Sequence, residues 1–187
     1  MSLILASNSP RRRELLAAAG IDFTVECAEV EELVSAADPR SLPERNAELK
    51  AAAVADRHPQ ALVLGADTVI LHRNRIIGKP ASADEALAIL LELSGHTHEV
   101  ITAVALIRQS PPLHLLRSEI TRVTFKPFDE ATARRYLELV HVLDKAGAYA
   151  LQEHGEMLVD SVEGESDNVV GLPLRAVREL LIQAGVE

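Results

Sequence analysis

The 187-residue sequence contains no tryptophan, one cysteine (Cys27) and only five aromatic residues: Phe23, Phe125, Phe128, Tyr136 and Tyr149. A lone cysteine excludes an internal disulfide and fits a reducing compartment. So few rings argue against a stacking platform for single-stranded nucleic acid. Long apolar runs are missing too. No stretch approaches the roughly 18 residues of a membrane span, and the opening Met1-Ser2-Leu3-Ile4-Leu5-Ala6 lacks the basic start and apolar length of a secretory signal. The expected setting is the cytoplasm, away from membranes.

Positive charge is in deficit, with 19 basic against 28 acidic residues and a net charge of −9. That argues against a broad, sequence-independent grip on a nucleic-acid polymer, which depends on neutralising many phosphates. It leaves room for a small polyanion held by a local cluster of cations. G-x-x-x-x-G-K-[ST], G-x-G-x-x-G and G-x-S-x-G are all absent, as is any Cys/His zinc spacing among the seven histidines.

What remains is an ordinary globular composition, 48% hydrophobic and 25% charged, with a mean hydropathy of +0.09. The length suits one domain over residues 1–187. Leu3–Ala6 reads as a short buried strand, and Ser9-Pro10 as a cap and first helical position with Gly20 as the stop. Ser41-Leu42-Pro43-Glu44 and Ser82-Ala83-Asp84-Glu85 read as capping boxes, the first opening a helix to about Arg57 and the second a helix ending at Gly95. The apolar run Ala61–Ala66 predicts a strand ending at Asp67-Thr68, followed by a hairpin over 69–77 that turns at Arg73-Asn74. Strands are expected at 98–107, 113–125 and 157–162, and helices at about 129–139 and 174–184. Mixed βα and hairpin order predicts an α/β fold, a mixed central sheet flanked by helices.

Ser7-Asn8-Ser9-Pro10-Arg11-Arg12-Arg13 places three arginines at a helix N-terminus, against the helix dipole. A phosphate bound there would resolve the conflict, since backbone N–H groups, hydroxyls and guanidinium forks all favour it. Asp67 stands where a buried strand was expected to end, the usual place for ligands in open α/β sheets, and could hold a metal ion or accept a proton from water. Glu29, Glu31 and Glu32 offer hard oxygen ligands for magnesium or manganese. Lys50 and the stiff Gly78-Lys79-Pro80 loop add cations, and Gln152 carries an amide that could pair with a base edge. Each feature has an ordinary alternative as a solvated or turn residue.

Together these segments resemble the Maf family of nucleotide pyrophosphatases. The resemblance runs in order through Leu5-Ala6-Ser7-Asn8-Ser9-Pro10-Arg11-Arg12, Val30-Glu31-Glu32, Lys50, Leu64-Gly65-Ala66-Asp67-Thr68, Gly78-Lys79-Pro80, Leu93-Ser94-Gly95-His96-Thr97-His98, the Asp144–Gln152 segment and Asn168-Val169-Val170-Gly171-Leu172-Pro173-Leu174. It implies an elongated, two-lobed α/β fold related to the inosine-triphosphate pyrophosphatases, with a cleft, often in a homodimer. It also implies a nucleoside triphosphate substrate and a divalent cation, Mg2+ or Mn2+. Asp67 would be the catalytic base and, with Glu32, a metal ligand; Ser7, Arg12, Lys50 and Lys79 would bind the triphosphate. Arg11, Thr68 and Gln152 match positions that mark the dTTP/UTP branch. Two departures bear on substrate preference: Glu153-His154 directly after Gln152, and Gly164-Glu165-Ser166-Asp167 where relatives often carry an aromatic residue. The alternatives are a 7-methyl-GTP pyrophosphatase and a nucleotide-binding regulator of septum formation without turnover.

Overall fold

Alternation along a single long strand organises the first half of the fold. In the computed structural model, which describes residues 2–186, β3 runs Leu62–His72 and is buried along almost its whole length. Side chains of a strand point alternately to opposite faces, and β3 obeys this residue by residue. Leu62, Leu64 and Ala66 pack with Leu3 and Leu5 of β1 (Leu3–Leu5), with Leu16 of α1 (Pro10–Ala18) and with Ala176, Val177 and Leu180 of the closing helix Leu174–Gln183. Val63 packs to the other side, with Ile4, Ala6 and the alanine-rich face of α2 (Leu42–Ala55), namely Ala47, Ala51, Val54 and Ala55.

The remaining elements are β2 (Thr24–Val25), β4 (Arg75–Ile77), α3 (Ala83–Leu93), β5 (Thr97–Arg108), β6 (Leu113–Phe125), α4 (Glu130–Leu139), β7 (Val159–Glu163) and α5 (Ser166–Val170), so that the closing helix is α6. The strands form one seven-stranded sheet in the order β2-β1-β3-β5-β6-β7, with β4 also on β3. Pairing is parallel for β1 with β2 and β3, and antiparallel for β3 with β4 and for β6 with β7. The expectation of a mixed sheet flanked by helices is met.

The chain divides into two compact units. The first holds residues up to Thr68, Thr102–Glu119 and everything from Gly171 onward; the second holds Val69–Ile101 and Ile120–Val170. The core of the second is built from Ile70, Val100, Val123 and Phe125 on strands, Leu87, Leu90 and Leu93 on α3, and Tyr136 on α4, with Tyr149 and Leu158 completing it.

Local signals were followed closely. Ser9, Ser82 and Asp129 cap their helices as expected, and Arg73-Asn74 turns the β3–β4 hairpin with φ of 49° and 63°. Three expectations need correction. Ser41 makes no capping bond to α2; its hydroxyl donates to the Asp38 carbonyl at 2.9 Å, while the Glu44 carboxylate accepts from Ser118 at 2.7 Å. The last strand begins at Val159, because residues 155–157 form a tight helical turn instead. And β3 does not stop at Asp67-Thr68 but continues to His72. An unpaired buried carboxylate would cost more than a buried leucine gains, about 1.5–3 kcal/mol. The strand can carry Asp67 inside because that carboxylate is paired, as described below.

Gly65 explains how α2 comes so near β3. A Cβ there would lie 2.2 Å from the Ala47 carbonyl oxygen and 2.8 Å from the Ala51 nitrogen, so helix and strand backbones are almost in contact. We expect Gly65→Ala to destabilise by about 1–3 kcal/mol through overpacking, or roughly 2–4 °C in Tm per kcal/mol. An unchanged melting temperature would show that α2 can retreat freely.

In the second unit, His98 sits against Phe125 and Tyr149 with its Nε2 2.9 Å from the Tyr149 hydroxyl. Burial pushes its pKa down to about 3, helped by His72. The unfolded chain therefore binds this proton near pH 6.5 and the folded chain only near 3, so stability should fall as pH drops across that window. Melting temperatures from pH 7 to 4 should decline less steeply for His98→Gln than for the parent; parallel slopes would mean that His98 is not the group responsible.

Candidate active site

The turn after β1 gathers around one guanidinium. The Ser9 hydroxyl caps α1 by accepting from the Arg12 nitrogen, which fixes where Arg12 points. Its Nε donates to the Gly171 carbonyl at 2.8 Å, Nη1 to Ser7 Oγ at 3.3 Å and Nη2 to Thr68 Oγ1 at 3.2 Å. Thr68 Oγ1 lies 3.0 Å from Thr102 Oγ1 on the neighbouring β5. Gly171 takes a φ of +116°, open to glycine at no cost, and a Cβ there would crowd Thr68 at 3.4 Å. A guanidinium has five N–H donors, and these contacts use three of them. One hydrogen on Nη1 and one on Nη2 are left for a ligand. Ser7 Oγ accepts from Arg12 and from the Ser9 nitrogen, which leaves its own O–H to donate.

The second group is built on α2. Lys50 Nζ lies 2.8 Å from Asp67 Oδ1 and 2.9 Å from Glu32 Oε1, so one ammonium bridges two carboxylates. Asn46, one helical turn earlier on the same face, donates from Nδ2 to Asp67 Oδ2 at 3.2 Å. Lys50 and Asp67 are nearly enclosed, their side chains 10% and 9% exposed, whereas Glu32 is 48% exposed. The two groups sense one another. Burial lowers the pKa of the Arg12 guanidinium, while the charges of Asp67 and Glu32 oppose that shift and Arg11 reinforces it.

Asp67 and Thr68 are adjacent on β3, so alternation sends one toward α2 and the other toward Arg12. β1 pairs with β3 only as far as Leu5 opposite Leu64. Both residues therefore lie past the carboxyl end of β1, where the Ser7–Arg13 turn begins. Asp67 was expected at the end of its own strand; it lies instead inside β3, level with the turn that follows β1.

Of the residues singled out from sequence, Ser7, Arg12 and Thr68 form one cluster and Glu32, Lys50 and Asp67 the other, all within the first unit. Arg11 is half-buried on the first turn of α1. Lys79 and Gln152 belong to the second unit and are exposed. The loop of Lys79 is tied to the segment of Gln152 by Gly147 N–H donating to the Gly78 carbonyl at 3.0 Å. Glu29 and Glu31 are exposed and take no part in the carboxylate pair. Sequence reading missed Asn46, Thr102 and the Gly171 carbonyl. Only Asn46 left a trace, its four-residue spacing from Lys50.

Glu32 and Asp67 are hard oxygen donors suited to magnesium or manganese. Among the described residues no three His, Cys, Asp or Glu side chains gather into a metal cage. Two carboxylates fit an ion that takes its remaining ligands from water and substrate phosphates, with Lys50 sharing the same oxygens.

The fold is that of a known architecture. The structure of the Staphylococcus aureus Ham1 protein matches it with a TM-score of 0.55 over 98% of this chain and all of that one, at 15% sequence identity. Its first unit carries an arginine-rich strand–turn–helix together with two carboxylates bridged by a lysine. Residues 2–184 match the family described as Maf-like protein, and the chain belongs to that family. It is 48% identical over 180 residues to the dTTP/UTP pyrophosphatase of Akkermansia muciniphila, covering 96% of this chain and 94% of the relative. It is 46% identical to the dTTP/UTP pyrophosphatases of Symbiobacterium thermophilum and Myxococcus xanthus, in each case over 98% of this chain and 94% and 93% of the relative.

Arg12→Lys keeps the charge but loses the fork that reaches Ser7, Thr68 and Gly171 at once. The expected result is a loss of about tenfold or more in kcat/KM for a nucleoside triphosphate, the worth of one charge-assisted hydrogen bond. Unchanged kcat/KM would reduce Arg12 to a point charge.

Proposed function

We propose that the chain hydrolyses dTTP and UTP to the nucleoside monophosphate and pyrophosphate. The observation that carries this reading is the pairing of an enclosed aspartate with Lys50 and Glu32 beside the arginine-rich turn. Two carboxylates facing a polyanion would only repel it unless a cation or water chemistry needs them.

Asp67 keeps lone pairs beyond those engaged by Lys50 and Asn46, since a carboxylate has about four acceptor positions. It orients a water and accepts its proton as the oxygen attacks the α-phosphorus; the α–β phosphoanhydride bond breaks and pyrophosphate leaves. The Ser7 hydroxyl and the spare N–H groups of Arg12 hold phosphate oxygens, and Lys50 offsets charge beside the carboxylates. Magnesium or manganese, held by Glu32 and Asp67, would supply charge neutralisation and a more acidic water. Lys79 is exposed and carries an ammonium of the kind that pairs with phosphate oxygens. The exposed amide of Gln152 offers the donor and acceptor that a pyrimidine edge requires, and Thr68 and Arg11 shape specificity. The same reading places a homodimer in the cytoplasm.

The test is pyrophosphate release from dTTP, UTP, CTP, GTP and 7-methyl-GTP, each with manganese, magnesium or chelator. Metal-dependent release strongest from dTTP and UTP is expected. Strongest release from 7-methyl-GTP would overturn the substrate, and tight nucleotide binding without release would favour a regulator. Asp67→Asn should cost about 10²–10⁴-fold in kcat with the fold retained by circular dichroism; near-parental turnover would remove Asp67 as the base.

A further inference from the structure

Asn46 is 2% exposed on α2, a helix position with no intrinsic call for an asparagine. Its side-chain Oδ1 accepts from the Leu33 nitrogen at 2.8 Å, and Nδ2 donates both to the Leu33 carbonyl at 3.0 Å and to Asp67 Oδ2 at 3.2 Å. Chemistry allows only this orientation of the amide. Two of its three partners are pure acceptors, so the NH2 must face them, and its two hydrogens are then fully used. The amide closes a ring with the backbone of Leu33, the residue directly after Glu32, and its remaining donor reaches across to the second oxygen of Asp67.

One turn later on the same face, Lys50 repeats the pattern with side chains, binding Asp67 Oδ1 and Glu32 Oε1. Helix α2 therefore grips the segment around residues 32–33 at two points and both oxygens of Asp67 at once. Glu32 lies in a stretch without regular structure and is 48% exposed, so Lys50 holds it only through its side chain. The backbone of the segment is anchored by Asn46.

We propose that Asn46 is a positioning residue that sets the separation and facing of the Glu32 and Asp67 carboxylates, and so governs how well they hold a divalent cation during pyrophosphate release. This rests on the function proposed above. It predicts effects on metal affinity and turnover, with little on capture of the triphosphate, which falls to Arg12 and Ser7.

The test uses the full chain and its Asn46→Leu variant, which matches the size but makes none of the three bonds. Three quantities are read well below the melting temperature: kcat and nucleotide KM for UTP at saturating manganese, and the manganese affinity measured by electron paramagnetic resonance with the uncleavable α,β-methylene-UTP bound. We expect kcat and manganese affinity each to fall by about 10–100-fold, the usual cost of losing a residue that orients a metal ligand, while KM for UTP moves little. A role in stability alone would lower Tm and leave kcat and manganese affinity as in the parent, which would overturn the proposal. If Asn46→Leu does not fold, Asn46→Asp serves in its place. It retains an acceptor for the Leu33 N–H but loses both donors, so parental kcat in that variant would likewise overturn the proposal. A parent chain that releases no pyrophosphate from UTP would instead bring down the proposed function on which this inference stands.

Discussion

The site depends on one buried cation. Lys50 reaches Asp67 and Glu32 simultaneously, at 2.8 and 2.9 Å, and is the cation that bridges the two carboxylates. With it, an enclosed aspartate can sit in the middle of an eleven-residue strand, and a glutamate from an irregular segment can be drawn toward it.

That cation is placed by packing. A glycine at position 65 and alanines at 47 and 51 let the backbones of β3 and α2 come nearly into contact, so a lysine and an asparagine one turn apart both reach across. The other face of β3 does a different job with the same alternation. Thr68, one residue on, meets Arg12 and Thr102, and Arg12 is bound in turn to Ser7 and to the Gly171 carbonyl just before α6. Strand periodicity thus places the carboxylate–lysine group on one face of the sheet and the Arg12 group on the other, with only a peptide bond between Asp67 and Thr68.

How much of this could be read beforehand follows from where the information lies. Local signals served well: Ser9-Pro10 opened α1, Asp129 opened α4, and Arg73-Asn74 turned a hairpin, because caps and turns are satisfied within a few residues. Ser41-Leu42-Pro43-Glu44 failed for a tertiary reason, since Glu44 found a partner in Ser118, distant in sequence. The end of β3 was misplaced at Asp67 because a carboxylate after an apolar run looks like the start of a loop. Only Lys50 and Asn46, brought near by folding, make it a tolerable strand residue. Asn46 carried only its four-residue spacing from Lys50, and an asparagine inside an alanine-rich helix gains meaning once Leu33 and Asp67 are known to stand opposite. The order of the motifs, by contrast, was legible over nearly the whole chain, and that is why family membership was reached before geometry.

The most direct measurement of the central claim is to run UTP hydrolysis in ¹⁸O-labelled water and locate the label by mass spectrometry. Water activated by Asp67 and attacking the α-phosphorus predicts label in the nucleoside monophosphate and none in the pyrophosphate. Label in pyrophosphate, or release of inorganic phosphate as the primary product, would contradict the mechanism built on Asp67.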